Sequence, residues 1–262
     1  MYAPIGAESF IGKGTVLLDR YIAGVSDGFC HLGNCTAVSI EAANIEKKTL
    51  KDATQALAPT IKEVVTAVEF GIKIAMRQMN SYNLALFGMG TTGSTVQTGA
   101  TATDESHTSI GVDRFVRLNK NHASSITTVT VGVTPKTAGT DYLATTEMLQ
   151  RGLIYIPAGS TIAPGATILV TYPYTSFTKP VIKLATSSTV EGGLHFFSDP
   201  SAGEDWDVRI WNASLAPEGS LELIGEDYNT LNLSGKIQAD VVRATAAGYS
   251  DAPNGIVERL SA

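Results

Sequence analysis

Between Thr60 and Arg77 the chain reads TIKEVVTAVEFGIKIAMR, and no other stretch limits the fold as tightly. Val64, Val68, Phe70, Ile72, Ile74 and Met76 take even positions, while Glu63, Glu69, Lys73 and Arg77, with the small Ala67, Gly71 and Ala75, take odd ones. Alternation at period two places these sets on opposite faces of a β-strand. A helix would mix Glu69 and Lys73 with Val65, Ile72 and Met76 on one stripe, which makes a poor amphipathic helix. The pattern is about three times as long as a usual strand and reaches on the order of 50 Å at ~3.3 Å per residue. Such a strand, apolar on one side and polar on the other, suits a sheet that lines something wet. Asn229 to Val242 repeats the design: Leu231, Leu233, Ile237 and Val241 alternate with Asn232, Ser234, Lys236, Gln238 and Asp240. This second two-faced strand is the natural sheet partner of the first.

The rest of the chain is organised around these two ribbons. Gly14 to Ile22 and Cys35 to Glu41 read as strands, with turn residues between them from Gly24 to Gly33. Ala42 to Pro59 carries Lys47, Lys48 and Lys51 against Glu46 and Asp52, with few large apolar groups, and is expected to be a solvated mobile loop. Asn80 to Phe87 reads as a short helix, capped by Asn80 or Ser81 and ended by Gly88. Residues 88–107 are rich in Gly and Thr and read as an exposed loop or linker. From about Ile110 short β-type runs follow one another (Val112 to Leu118, Ile126 to Val133, Leu153 to Pro157, Thr167 to Tyr174), separated by turn signals at Gly139, Gly159 and Pro164-Gly165. Past Pro180 the first style resumes, with strands at 181–185, 193–197, 207–211 and 220–225, a turn at Pro217-Glu218-Gly219, and little pattern in the tail from Arg243. The reading is a mainly β fold with one short helix. A discontinuous domain over 1–107 and 178–262 is interrupted by a small antiparallel β module over 108–177.

Charge and motif content argue against several functions. A net charge of −6 with no basic stripe gives nucleic acid little to bind. MYAPIGAESFIGKG lacks the basic and apolar regions of a secretory signal, and no apolar run approaches the ~20 residues that span a bilayer, so a soluble chain made in a cytoplasm is expected. Cys30 and Cys35 flank His31, but a structural zinc site needs four ligands, and the pair is read as reduced thiols. Gly88-Met89-Gly90-Thr91-Thr92-Gly93 matches a dinucleotide fingerprint, yet a helix precedes it where a strand should. Gly24-Val25-Ser26-Asp27-Gly28 matches a nucleophile elbow without the helix that exposes its serine, and reads as a turn. Glu204, Asp205 and Asp207 are read as a solvated acidic turn rather than paired catalytic carboxylates, and His195 as a partly buried strand residue. No catalytic, cofactor or metal site is expected, and the chain is not read as an enzyme.

The order of parts resembles the major tail tube proteins of long-tailed (siphovirus-type) bacteriophages. The resemblance rests on GTVLLDR at Gly14 to Arg20, GNCTAVSI at Gly33 to Ile40, the charged segment at Ala42 to Pro59 followed by the long strand, NLALFG at Asn83 to Gly88, and LAPEG at Leu215 to Gly219 leading into Leu221 to Ile237. It covers roughly residues 14–95 and 180–245 and departs at the inserted module. It implies a β-sandwich or half-barrel with a packed helix, whose copies close into hexameric rings. Stacked rings form the tail tube that delivers DNA to the host. The insert is then expected to be an outward-facing decoration. Glu46, Lys47, Lys48, Lys51 and Asp52 would form an inter-ring stacking loop, and Glu63, Glu69, Lys73, Arg77, Lys236 and Asp240 would face the lumen. The implied partners are further copies of the chain and the tape-measure, tail-terminator and tail-tip proteins, with DNA only in transit and no membrane. The implied location is the virion tail, assembled in the host cytoplasm. Two other readings are the inner tube of a contractile injection or secretion system, and a β-rich carbohydrate-binding module built on the tyrosine-rich insert.

Overall fold

The long alternating stretch is a strand, and it has a partner that the sequence did not announce. The computed structural model describes residues 12–51, 53, 54, 57, 60–202 and 204–260. The chain begins with β1 (Gly14–Ile22), β2 (Val25–His31), β3 (Cys35–Lys51), β4 (Thr60–Met76), α1 (Ser81–Phe87) and β5 (Thr91–Gln97). It continues with β6 (Ala100–Thr108), β7 (Arg114–Arg117), β8 (Thr128–Val131), β9 (Thr134–Pro135), α2 (Thr146–Gln150), β10 (Leu153–Ile156) and β11 (Thr167–Tyr174). It ends with β12 (Phe177–Lys183), β13 (Val190–Ser198), β14 (Trp206–Glu218), β15 (Leu231–Gln238), α3 (Val241–Ala246) and β16 (Gly255–Arg259). With 55% strand against 8% helix, the fold is mainly β and its sheets are antiparallel. Two compact units are present: the first runs to Gly93 and resumes at Ile182, and the second is Ser94–Val181. The chain leaves and re-enters the first unit along β5 and β12, which pair as a two-stranded ribbon.

The first unit is one antiparallel sheet in the order β2-β1-β13-β14-β15-β4-β3. β14 is the branch point: its first half pairs with β16 (Trp206↔Arg259 to Ile210↔Gly255) and its second with β15 (Asn212↔Gln238 to Glu218↔Asn232). β3 lies at one end of this order, yet its Cys35, Val38 and Ile40 line one cavity of about 500 Å³ with Val16, Leu194, Phe196 and Val208 from β1, β13 and β14. The sheet therefore curls back on itself. Its concave face holds the core, in which Val16, Leu18, Ile72, Ile74, Met76, Leu194, Leu215, Leu231 and Leu233 are buried with Leu86 of α1. The Asn80 side chain caps α1 by accepting from Asn83 N–H at 2.7 Å, and Gly88 N–H closes it on Leu84 O at 2.8 Å. Asn83 is wholly buried and donates to the carbonyls of Leu32 and Gln78, each at 2.8 Å, which ties the helix to two loops.

The second unit has its own core, with Val116, Leu118, Val129, Leu149, Ile154, Ile156, Ile162, Ile168, Val170 and Tyr172 buried together. A four-stranded sheet β6-β11-β8-β9 and a β7–β10 pair enclose it. The Tyr172 hydroxyl donates to Glu105 Oε2 at 2.8 Å, and burial pushes its pKa well above the usual phenol value. Burial alone would raise the Glu105 carboxyl, but bonds from Asn119 N–H, Tyr172 and His107 outweigh it and hold the carboxyl below its ordinary range.

Several sequence expectations are corrected. Residues 42–51 are not a loop: β3 runs to Lys51 and pairs with β4 from Cys35↔Met76 to Lys51↔Thr60. The backbone of a seventeen-residue strand needs a ladder partner along its whole length, and that demand overrides a charged composition. Residues 91–97 and 100–108 are likewise strands, and β6 pairs with β11, which moves the boundary between units from 107/108 to 93/94 and from 177/178 to 181/182. Thr-rich segments suit a pleated surface even when they look like low-complexity linkers. Gly24 to Gly33 is mostly β2. Ala23 (φ 51°) and Gly24 (φ 79°) make the tight hairpin turn that joins it to β1, and Gly28 (φ 91°) sits in a register shift. There are three described α-helices rather than one, since α2 and α3 span only five and six residues and leave almost no periodic signal. β14 continues through Pro217 to Glu218, no strand forms over 220–225, and the tail supplies α3 and β16.

Candidate assembly surface

β4 has two neighbours at its base and one further out. β15 pairs with it only from Gly71 to Met76, whereas β3 follows it to Thr60. Beyond Phe70 the β3–β4 hairpin is thus a two-stranded arm, about 30 Å long for some ten residues per strand.

Directly paired residues share a face. On one face stand the pairs Val38↔Ile74, Ile40↔Ile72, Ala42↔Phe70 and Ile45↔Val68, then, past the register shift that skips Thr66, Lys47↔Val65 and Thr49↔Glu63. Ile72 and Ile74 are 1% exposed, but Phe70, Val68, Val65 and Ile45 are 37%, 47%, 50% and 49% exposed. A single apolar stripe is therefore core at its base and bare on the arm. Full burial of a side chain of this kind contributes about 1.5–3 kcal/mol, so the bare stripe is a large unused driving force.

The other face is a ladder of opposite charges. Lys236 of β15 pairs with Glu69 at 2.8 Å and Lys73 with Glu41 at 3.2 Å, while the Lys47–Glu63 pair, at 2.7 Å, stands past the register shift on the face of Ile45. All six side chains are about half exposed or more, so each pair contributes at most ~1 kcal/mol. Of the residues expected to face a lumen, Glu69, Lys73 and Lys236 share this face, and Glu63, past the register shift that skips Thr66, stands on the other. Arg77 follows β4 directly and its N–H donates to Asn34 O at 2.8 Å. Asp240 belongs elsewhere: β15 stops at Gln238, and Asp240 caps α3 by accepting from Arg243 N–H at 2.9 Å. The residues expected in a stacking loop are strand residues: Glu46, Lys47, Lys48 and Lys51 all lie on β3, and Asp52 lies outside the described residues. Sequence reasoning missed the β3 half of the apolar face. The signal was present as Val38, Ile40 and Ala42 followed by Ile45, an alternation broken once by the register shift between Ala42 and Asn44.

The strings that imitate catalytic motifs are spent on structure. Ser26 donates to both carboxylate oxygens of the buried Asp19, at 2.8 and 2.7 Å, from within β2. Gly88 to Gly93 follows a helix and runs into β5, the reverse of a dinucleotide site. Among the described residues no group of three or more His, Cys, Asp or Glu side chains is placed to hold a metal ion. Glu204 and Asp207 are not solvated but buried. Glu204 pairs with Arg259 at 2.5 Å, while Asp207 meets His195 Nε2 at 2.7 Å and Arg209 at 2.8 Å. Arg209 also reaches Glu258 at 3.1 Å, and the Tyr249 hydroxyl donates to the same carboxylate. Burial would raise the Asp207 carboxyl, but the Arg209 and His195 contacts prevail and hold it below its usual range. This network stitches β13, β14 and β16 together. No described helix is long and apolar enough to cross a membrane.

The fold and this surface define a mainly antiparallel β protein of two units that carries an uncovered apolar arm. The chain belongs to the family described as "Protein of unknown function UCP028589", whose model matches residues 9–251. No curated protein matches it.

Proposed function

We propose that this chain is a structural protein that polymerises with itself into stacked rings, forming the tube of a long-tailed bacteriophage through which DNA passes. The observation that carries this reading is the β4 stripe, which forms the core at Ile72 and Ile74 and is about half exposed at Val65 and Val68. A soluble monomer gains nothing from such an arm. A second copy that covers it supplies the missing apolar neighbour. The sheet also ends in two different edges, β2 and β3, neither with a second strand partner among the described residues. Unlike edges that meet between copies form a heterologous contact, which closes into a ring when the rotation allows and leaves no strand edge open. The charge pairs Lys236–Glu69 and Lys73–Glu41 are internally balanced, so a lumen lined by them would hold a polyanion weakly and let it slide. In this reading the tape-measure, tail-terminator and tail-tip proteins are the partners, and the tube is built in the host cytoplasm and resides in the virion.

Negative-stain microscopy and light scattering of the purified chain test the proposal. Hollow discs or rods that grow with concentration are expected, and Val68→Asp should leave a folded monomer. A wild-type protein that stays monomeric at high concentration would overturn it.

A further inference from the structure

The loop 119–122 of the second unit is fastened from beneath by its backbone. Asn119 N–H donates to Glu105 Oε1 at 2.8 Å, Lys120 N–H to the Tyr172 hydroxyl at 3.2 Å, and Asn121 N–H to Gln97 Oε1 at 3.3 Å. Gln97 is itself locked, since its Nε2 donates to the carbonyls of Asn121 and Thr175 at 2.8 and 2.9 Å. Three consecutive amides are thus held by side chains of three other strands. The side chains of Asn119, Lys120 and Asn121 are left over, and all three line a cavity of about 480 Å³ with Tyr174 and Phe177. Among the described residues the two amide groups have no protein partner. Lys120 Nζ stands 5.8 Å from the Tyr174 ring and Lys179 Nζ 4.8 Å from the Phe177 ring, and neither ammonium has a carboxylate partner. Behind Phe177 the His122 ring lies 4.8 Å away, at a backbone φ of 55° that a non-glycine residue adopts only when its surroundings impose it. No acidic residue lines the cavity.

We propose that this cavity binds a saccharide that carries a carboxylate, such as a uronic acid unit of a surface polymer. Aromatic rings pack against the C–H face of a sugar. Free amides offer both donor and acceptor to neighbouring hydroxyls, and ammonium groups beside the rings select an anionic substituent. The loop is ordered before the ligand arrives, which lowers the entropic cost of binding. The lining residues all belong to the second unit, and the inference does not rest on the proposed assembly.

Isothermal titration of the full chain with tetragalacturonate, its methyl ester and a short oligothymidylate tests the assignment. Tetragalacturonate should bind with a Kd of about 0.1–1 mM, and the uncharged ester about tenfold more weakly. Lys120→Ala, at an exposed position, should bring the acid down to the affinity of the ester. Tyr174→Ala should weaken both sugars, and Asn121→Ala provides a second variant should loss of Tyr174 disturb the fold. No heat up to about 10 mM sugar, equal binding of acid and ester, tighter binding of the oligothymidylate, or wild-type affinity in both Lys120→Ala and Asn121→Ala would each overturn the proposal.

Discussion

The base and the arm of β4 carry the same alternation and meet opposite fates. At Ile72 and Ile74 the apolar side chains are buried inside the curled sheet and Phe70 lines a cavity with Ile210, Ile237 and Val257, while Val65 and Val68, of the same kind on the same face, are about half exposed. Side-chain pattern decides which face of a strand is apolar. Whether that face is core or contact surface depends on which neighbouring strands extend far enough to shelter it. β15 ends its pairing at Gly71, and from there the stripe changes from a stabilising element of the monomer to the exposed surface proposed to join copies.

The sharpest way to break this comparison is to empty both positions. Ile74→Ala should cost about 2–5 kcal/mol of folding stability, read as a lower denaturant midpoint, because it leaves a cavity in a closed core. Asn83→Ala should cost about 1–3 kcal/mol, because the carbonyls of Leu32 and Gln78 lose their donors inside the same base. Exposed ion pairs contribute little, so Lys47→Gln should change monomer stability by no more than ~1 kcal/mol and leave the hairpin intact by circular dichroism. Val68→Ser on the arm should stay within ~0.5 kcal/mol of wild type in the same denaturation experiment while it lowers the assembled fraction. A loss as large as that at Ile74 would mean that the arm is core after all.

Acid separates the two units in another way. Amide bonds from Thr137 and Thr161, with the Thr161 hydroxyl, hold the Asp141 carboxyl at about 2, below its ordinary 3.8. Because the folded value is the lower one, the stabilisation is complete above about pH 4 and fades as the pH falls through about 2. Hydrogen exchange at the Thr137 and Thr161 amides should lose protection over that window, and Asp141→Asn should reduce it already at neutral pH. Both tryptophans, Trp206 and Trp211, lie in the first unit, so their fluorescence follows that unit alone during the same titration.

Strands with a local signature were legible in full. β1 and β11 match their sequence readings residue for residue, and α1 was marked at both ends by Asn80 and Gly88. Elements that depend on a distant partner were not. β16 is five residues of weak pattern that become a strand only because the first half of β14 has a free edge, and β6 exists because β11 offers one. The candidate surface divides in the same way. Glu69, Lys73 and Lys236 fall on one face as their spacing requires, whereas the register shift at Thr66 turns Glu63 to the other and Asp240 leaves the strand because two residues past the end of β15 its side chain caps a helix instead.

What the sequence determined by itself is the two-faced character of β4 from Ala67 to Met76, where no bulge on β4 interrupts the alternation of an extended chain. What only the tertiary structure decided is where that apolar face is covered. Cover is a relation between segments such as β3, β4 and β15, and their ladder lengths follow from pairing across the whole sheet rather than from any one stretch of residues.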